Sequence, residues 1–395
     1  MENAFITKIH FDFVRHLENI DINLSDTELS HLILTGKNGS GKTSVLQAIK
    51  NYVEGSYNSQ HGAKYFGEVP VIHHEAALEN TPLDFLNGIN YHLQISTNEK
   101  FKVNEMIFVY FPADRFKRFE IPRTIESRDI GWSGGKHILK SHNEFFLKYL
   151  LYLRHIYTEV KLAQKDSVEI KKYEQWFDDF EDILKEIYGS PELKLEYHPK
   201  SLSFSINTPD RAPFTLNQMA DGFFSFVKIV VELMLRMDNF HDEIDFSKNA
   251  IVFIDEIETH LHVDLQKKIL PILVKLFSNT QFIVTTHSPF VITSLPNAIV
   301  YDLESNKMLE NPTQFSYESI IESYYASDLY SLEIKRIFDE YRKLAEIEER
   351  TDAQEKEFSH LRMELKKISP MEKELYLAFR DFEEKRRAVN NGKTA

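Results

Sequence analysis

Apolar residues recur along this chain at two spacings, and their alternation lays out a fold. Between residues 5 and 24 apolar and polar positions alternate twice, around Ile6, Ile9, Phe11 and Phe13 and then around Ile20, Ile22 and Leu24. That period predicts two strands of a hairpin. Residues 31–35 are a short apolar run ending at Gly36, the pattern of a buried strand. Residues 42–52 then place Val45, Leu46 and Ile49 on one face of a helix. Strands are also predicted at 91–95, 106–111, 193–197, 202–206, 250–254 and 281–285. From Gly222 onward, Phe223, Phe226, Val227, Val230, Val231, Met234 and Leu235 follow helical spacing closely, and residues 265–277 read as a further helix. Continuous apolar strands separated by helices mean a parallel α/β sheet.

Other stretches interrupt that pattern. Residues 55–85 are polar and glycine-dotted, which predicts an irregular surface insertion. Residues 115–136 are basic, carry Gly131, Gly134 and Gly135, and read as a loop. Residues 143–188 are aromatic-rich, helical in period and free of proline, a helical insertion. Residues 330–390 are highly charged, with helical runs broken near Thr351 and at Pro370. They read as two or three helices whose charges form either a solvated face or an interaction surface. The expected organisation is an N-terminal lobe over 1–140, a helical insertion over 141–192, a C-terminal lobe over 193–315 and a helical appendage over 316–395.

Composition narrows the function classes. The chain has 395 residues and a net charge of −14, so its overall field does not draw it to nucleic acid or anionic membrane. DNA binding would need a local basic patch. Cysteine is absent, which excludes disulfide and thiolate chemistry. Met1-Glu2-Asn3-Ala4 lacks the charge and apolar run of a signal peptide, and no apolar run is long enough to span a bilayer. A cytoplasmic protein with no membrane partner is expected.

Three motifs carry chemistry. Gly36-Lys37-Asn38-Gly39-Ser40-Gly41-Lys42-Thr43 stands between a predicted strand and a predicted helix, with Ser44 next in that helix. Its glycines let successive N–H groups point at phosphate oxygens, at the positive end of the helix. Lys42 can reach the β- and γ-phosphates of ATP, and the Thr43 hydroxyl can ligate Mg²⁺. The apolar run 251–254 delivers Asp255 and Glu256 at its C-terminal end, where open α/β sheets bind ligands. Asp255 suits the Mg²⁺ shell, and Glu256 suits a general base acting on water. Thr285-Thr286-His287-Ser288-Pro289 follows the next strand and offers a histidine to a γ-phosphate.

Together these motifs resemble the ABC-type ATPases of the RecF, SMC and overcoming-lysogenization-defect group, the prokaryotic AAA-15/AAA-21 ATPases, over about residues 4–300. Asp255-Glu256-Ile257-Glu258-Thr259-His260-Leu261-His262 looks like that group's Walker B motif and D-loop, and Thr286-His287-Ser288-Pro289 like its switch histidine. The resemblance implies an ABC-ATPase-like P-loop head with an N-terminal antiparallel β portion, helical insertion and C-terminal helical appendage. Phe13-Val14-Arg15-His16-Leu17-Glu18-Asn19-Ile20 resembles the family's opening segment, so Arg15 is either a nucleotide-binding residue or a solvated hairpin arginine. In the family, ATP is sandwiched between two heads, the second contributing a signature segment. Leu216-Asn217-Gln218-Met219-Ala220-Asp221-Gly222-Phe223 occupies that place. Asp221 and Gly222 match it; Ala220 replaces a serine and Phe223 a polar residue. Those departures imply slow hydrolysis, or hydrolysis that depends on assembly. The Q-loop has no clear match; Pro112-Ala113-Asp114-Arg115 stands in its place. Arg115, Lys117, Arg118, Arg123 and Arg128 make the most basic stretch, either a solvated loop or a phosphate or DNA contact.

The resemblance extends to ATPases of the PARIS, Septu and retron anti-phage systems. It implies ATP and Mg²⁺ as cofactors, a homodimer unit or larger oligomer, and a separate effector protein, commonly a nuclease, since no nuclease motif stands in this chain. A RecF-like or SMC-like DNA-repair ATPase and an ATP-binding scaffold with negligible hydrolysis are the alternatives; a transporter subunit fits the divergent signature less well.

Overall fold

The computed structural model describes residues 4–58, 91–98, 106–115, 118–119, 146–163, 167–237, 248–317, 319–320, 332–345, 347, 350–366 and 379–380. The chain divides into two compact units, Met1–Ile320 and Ile321–Ala395.

In the first unit, the alternating N-terminal pattern folds as predicted. β1 (Ile6–Val14) and β2 (Leu17–Asn23) pair antiparallel, with Val14 opposite Leu17. Arg15, at the tip between them, takes the left-handed region at φ 55°. β4 (Tyr91–Thr97) pairs with β1 to give a three-stranded sheet in the order β2-β1-β4.

The second sheet has six strands. β3 (His31–Thr35), β5 (Ile107–Phe111), β9 (Ala250–Ile254), β10 (Thr280–Thr285) and β11 (Ala298–Asp302) run parallel; β12 (Lys307–Glu310) joins β11 antiparallel. The order is β12-β11-β3-β10-β9-β5. α1 (Lys42–Asn58) lies between the two sheets, with Val45, Leu46 and Ile49 fully buried in one core with Phe11, Ile20, Leu34, Phe253 and Ile283. Each such side chain contributes roughly 1.5–3 kcal/mol, more than a helix cap at about 1 kcal/mol. Packing therefore sets where α1 sits, and its first turn carries no acidic residue. Val252 and Ile254 are equally buried outside that cluster, so β9 is covered on both faces.

The stretch predicted as a helical insertion holds two helices, α2 (Phe146–Leu162) and α3 (Ser167–Tyr188), joined by Tyr149, Trp176, Phe146 and Phe180 edge to face. Phe177 of α3 stacks on Phe204 of β7 (Ser203–Thr208), the middle strand of a small antiparallel sheet with β6 (Lys194–His198) and β8 (Arg211–Thr215). A single 3₁₀ turn, Leu216–Gln218, leads into α4 (Asp221–Met237), which packs on α3 and β5.

The structure corrects several boundaries. α1 continues through Asn58, where composition predicts an irregular segment from residue 55; the rest of that insertion lies outside the described residues. The helix expected over 265–277 is two pieces, α5 (Val263–Gln266) and α6 (Ile269–Leu276). Pro271 explains the break: its ring clashes with the carbonyl of Lys267, four residues back. A third short helix, α7 (Pro289–Ile292), follows β10, with Ser288 capping it by accepting the Phe290 and Val291 N–H groups.

The second unit contains α8 (Leu332–Ala345) and α9 (Asp352–Lys366). Tyr341 stacks on Phe358 at 4.9 Å, and Leu361, Leu365 and Phe379 complete a small core.

Candidate functional site

The strand register brings four chain segments to one edge of the six-stranded sheet. Leu34 aligns with Thr285, and Ile254 aligns with both Val284 and Phe111. The loops leaving β3, β9, β10 and β5 therefore start side by side, the position at which open α/β sheets hold ligands.

The loop after β3 wraps as its glycines allow. Gly39 and Gly41 have φ of 85° and 98°, a backbone conformation that other residues adopt only with strain. A Cβ on Gly41 would also stand 3.0 Å from Leu17, so the tip of the β1–β2 hairpin presses against the loop. Lys42 is buried and its Nζ donates to the carbonyls of Gly36 at 2.9 Å and Lys37 at 3.0 Å. Burial pushes its ammonium down from the ordinary range; the carboxylates of Glu258, Glu256, Asp255 and Asp302 oppose that shift.

A cavity of about 250 Å³ opens over this loop. Asn38, Gly39, Gly41, Lys42, Thr43 and Ser44 form one wall, Arg15 and His16 of the hairpin tip a second, and Glu256 with His287 a third. Arg15 thus joins the P-loop, while His16 is a lining residue that the sequence does not single out. Gly36 and Ser40 stand beside the cavity rather than on its wall.

Asp255 is held by two hydroxyls. Its Oδ1 accepts from Thr43 at 3.1 Å and from Thr285 at 2.6 Å. The Thr285 hydroxyl in turn accepts the Glu256 N–H at 2.7 Å. Glu256 itself sits at φ 45° and its Oε2 accepts from the Thr259 hydroxyl at 3.3 Å. His287 donates its backbone N–H to Glu258 Oε1 at 2.6 Å. Burial lowers the pKa of the His287 imidazole, reinforced by the Lys42 charge and opposed by Glu256. Burial raises the Glu258 carboxyl above its usual range, against the His287 hydrogen bond.

The signature-like residues lie elsewhere. Asp221 pairs with Arg118, and neither Asp221 nor Gly222 lines the cavity. A Cβ on Gly222 would meet the His260 carbonyl oxygen at 2.7 Å, so the glycine is needed here for close backbone approach. Phe223 stacks face to face on Tyr188, with ring centroids 4.1 Å apart.

Arg115 corrects its expectation. It is 5% exposed and is not on the cavity wall, so it is a buried side chain rather than a solvated loop residue. Burial lowers its pKa to about 10, and its guanidinium is spent on backbone carbonyls of the Asp255-Glu256 turn. Arg118 is likewise engaged internally, with the Met219 carbonyl and Asp221. Lys117, Arg123 and Arg128 lie outside the described residues.

The arrangement suits a polyphosphate: backbone N–H groups at a helix start, a lysine within the loop and a carboxylate facing them. Thr43 and Asp255 offer adjacent hard oxygen donors, a fit for Mg²⁺, which takes one or two protein ligands and completes its shell from phosphates and water. Among the described residues no group of three or more His, Cys, Asp or Glu could form an all-protein metal cage.

The family model described as "AAA domain, putative AbiEii toxin, Type IV TA system" matches residues 32–293. "Septu protein PtuA" of Bacillus mycoides (strain KBAB4) is 24% identical over 390 residues, covering 93% of this chain and 51% of that protein. "Retron Ec83 probable ATPase" of Escherichia coli is 29% identical over 158 residues, covering 40% of this chain and 28% of that one. The chain spans about half the length, or less, of these curated relatives. Among solved structures, the Smc head bound to the C-winged helix domain of ScpA aligns with a TM-score of 0.42 at 12% identity, over 79% of this chain and all of that one.

Proposed function

The chain belongs to that AAA-domain family, and from this membership we propose that it binds and hydrolyses Mg²⁺-ATP as the switch subunit of an anti-phage defence complex. The carrying observation is the convergence of Lys42, Thr43, Glu256 and His287 on one cavity, with Asp255 bonded to Thr43 behind it. Lys42 and the start of α1 take the β- and γ-phosphates. Thr43 and Asp255 would hold Mg²⁺, which supplies charge neutralisation for the phosphoryl group when bound. Glu256 orients and deprotonates the attacking water, and His287 donates to the γ-phosphate and registers its departure. Arg15 approaches the phosphates from the hairpin tip.

ATP closes two copies of the chain on each other, the α4 start of one covering the nucleotide of the other, and hydrolysis releases them. Likeness to proteins named for Septu and retron systems supports a defence role, and the resemblance of the motifs to ATPases of such systems implies a separate effector, of which a nuclease is the leading class. The protein acts in the cytoplasm; among the described residues no helix is long and apolar enough to cross a membrane.

The test pairs phosphate release with mass measurement. Wild type is expected to release phosphate from Mg²⁺-ATP, and Glu256→Gln to bind ATP, keep only a small residual turnover and double in mass. Co-purification with the product of the adjacent gene reads out the effector. Phosphate release that rises on adding DNA would favour the repair reading instead. Phosphate release equal in wild type and Glu256→Gln would leave an ATP-binding scaffold.

A further inference from the structure

After Ile254 the chain leaves the sheet, and three successive carbonyls turn onto one side chain. Arg115 donates from Nη1 to Asp255 O at 2.9 Å, and from Nη2 to Glu256 O at 3.0 Å and Ile257 O at 3.1 Å. Nη1 also reaches Pro112 O at 3.0 Å, and Nε reaches the Ser225 hydroxyl of α4 at 3.2 Å. Lys228, one turn further along α4, donates to the Arg115 carbonyl at 2.9 Å. A few residues on, the same strand of chain grips the start of α4. Arg118 bonds Met219 O at 3.0 Å, pairs with Asp221 and lies 4.3 Å over the Phe224 ring. Phe119 and Asn217 exchange two hydrogen bonds, at 3.1 and 3.0 Å.

We propose that Arg115 is a positioning residue which, with Arg118, makes residues 112–115 and 118–119 a strap between the signature-like start of α4 and the Asp255-Glu256 turn. A displacement of α4 by a phosphate of the second copy would then move the Glu256 backbone, which only a narrow geometry serves. The strap links the segment that meets one nucleotide to the carboxylates that act on the other. A guanidinium is required because its planar fork serves five acceptors at once; a lysine carries the charge but has three donors on one nitrogen. This inference rests on the hydrolysis proposed above.

The test is Arg115→Lys in the full chain, read by steady-state hydrolysis and by fluorescent-nucleotide titration. Misplacing the general base by a fraction of an ångström to an ångström is expected to lower kcat by on the order of 10²-fold. Affinity for ATP should stay within about twofold, because the P-loop is untouched. In a Glu256→Gln background R115K should lower the residual rate no further, a non-additivity that a general loss of structure would not produce. Should R115K fail to fold by thermal melting, Arg118→Gln carries the test, since that side chain is 38% exposed; it should lower kcat with affinity kept. An active wild type with unchanged kcat in the folded variant overturns this inference alone. A wild type without ATPase activity overturns it together with the hydrolysis reading.

Discussion

The Thr285 hydroxyl donates to Asp255 Oδ1 at 2.6 Å and accepts the Glu256 N–H at 2.7 Å, so one fully buried side chain of β10 fixes both acids at the end of β9. Thr285→Val keeps the shape and strands the Glu256 N–H. Leaving that part-buried donor unmet costs at most about 1–3 kcal/mol. Denaturant unfolding should show the loss, and ATP hydrolysis should fall with it, while Thr285→Ser retains both. A valine variant of wild-type stability and rate would remove Thr285 from the site.

Gly222→Ala puts a methyl group 2.7 Å from a backbone oxygen of His260, a residue itself held at φ 66°. Neither partner is the tip of a flexible side chain. Overpacking of this kind costs roughly 1–3 kcal/mol, to be read as a lower unfolding midpoint. An unchanged midpoint would show that the turn at His260 yields freely.

Glu258 gives a pH signature. Its carboxyl is raised on folding above the ordinary 4.5 by burial. Such a group contributes stability in full below 4.5 and loses it as pH rises through the folded value. Glu258→Gln removes the titration and keeps an acceptor for the His287 N–H. The stability of E258Q relative to wild type should therefore increase from acid pH towards neutrality, measured as unfolding midpoints across that range. A difference that is flat or shrinks with pH would contradict the burial argument.

The two signature departures should behave oppositely. Ala220 is exposed, and Ala220→Ser adds a hydroxyl donor at no packing cost. One charge-assisted bond of about 1.5–3 kcal/mol corresponds to roughly tenfold or more per bond, and a symmetric dimer makes two, so ATP-driven self-association should tighten by at least about 10²-fold, measurable by light-scattering mass analysis at graded ATP. Phe223→Gln removes the stack on Tyr188. It should lower the melting temperature through a loss of about 0.5–1.5 kcal/mol beyond the buried area. No gain from A220S would count against a role for this segment at a second nucleotide.

Much of the head was legible because its signals are short-range. The alternation around Ile9 and Phe11, the apolar run 250–254 and the spacing after Gly222 each report burial within one element. β8 escaped because Arg211, Ala212 and Pro213 are all exposed and only Phe214 is buried, which leaves no period to read. β12 is similar, a mostly exposed edge strand. Thr285 gave one signal that could have been used: a hydroxyl at the end of an apolar strand next to the one bearing Asp255.

The sequence by itself determined the phosphate loop, the acid pair after β9 and the histidine after β10, since each is a few adjacent residues at the end of an apolar run. Tertiary structure alone decided which of them meet. Strand order sets Thr285 beside Asp255, thirty positions away, and periodicity records which face of a strand is buried but not which strand lies alongside. The same holds for Arg115. A basic residue in a basic stretch carries no mark of being buried, and only the packing of β5, β9 and α4 turns its guanidinium onto the carbonyls behind Glu256.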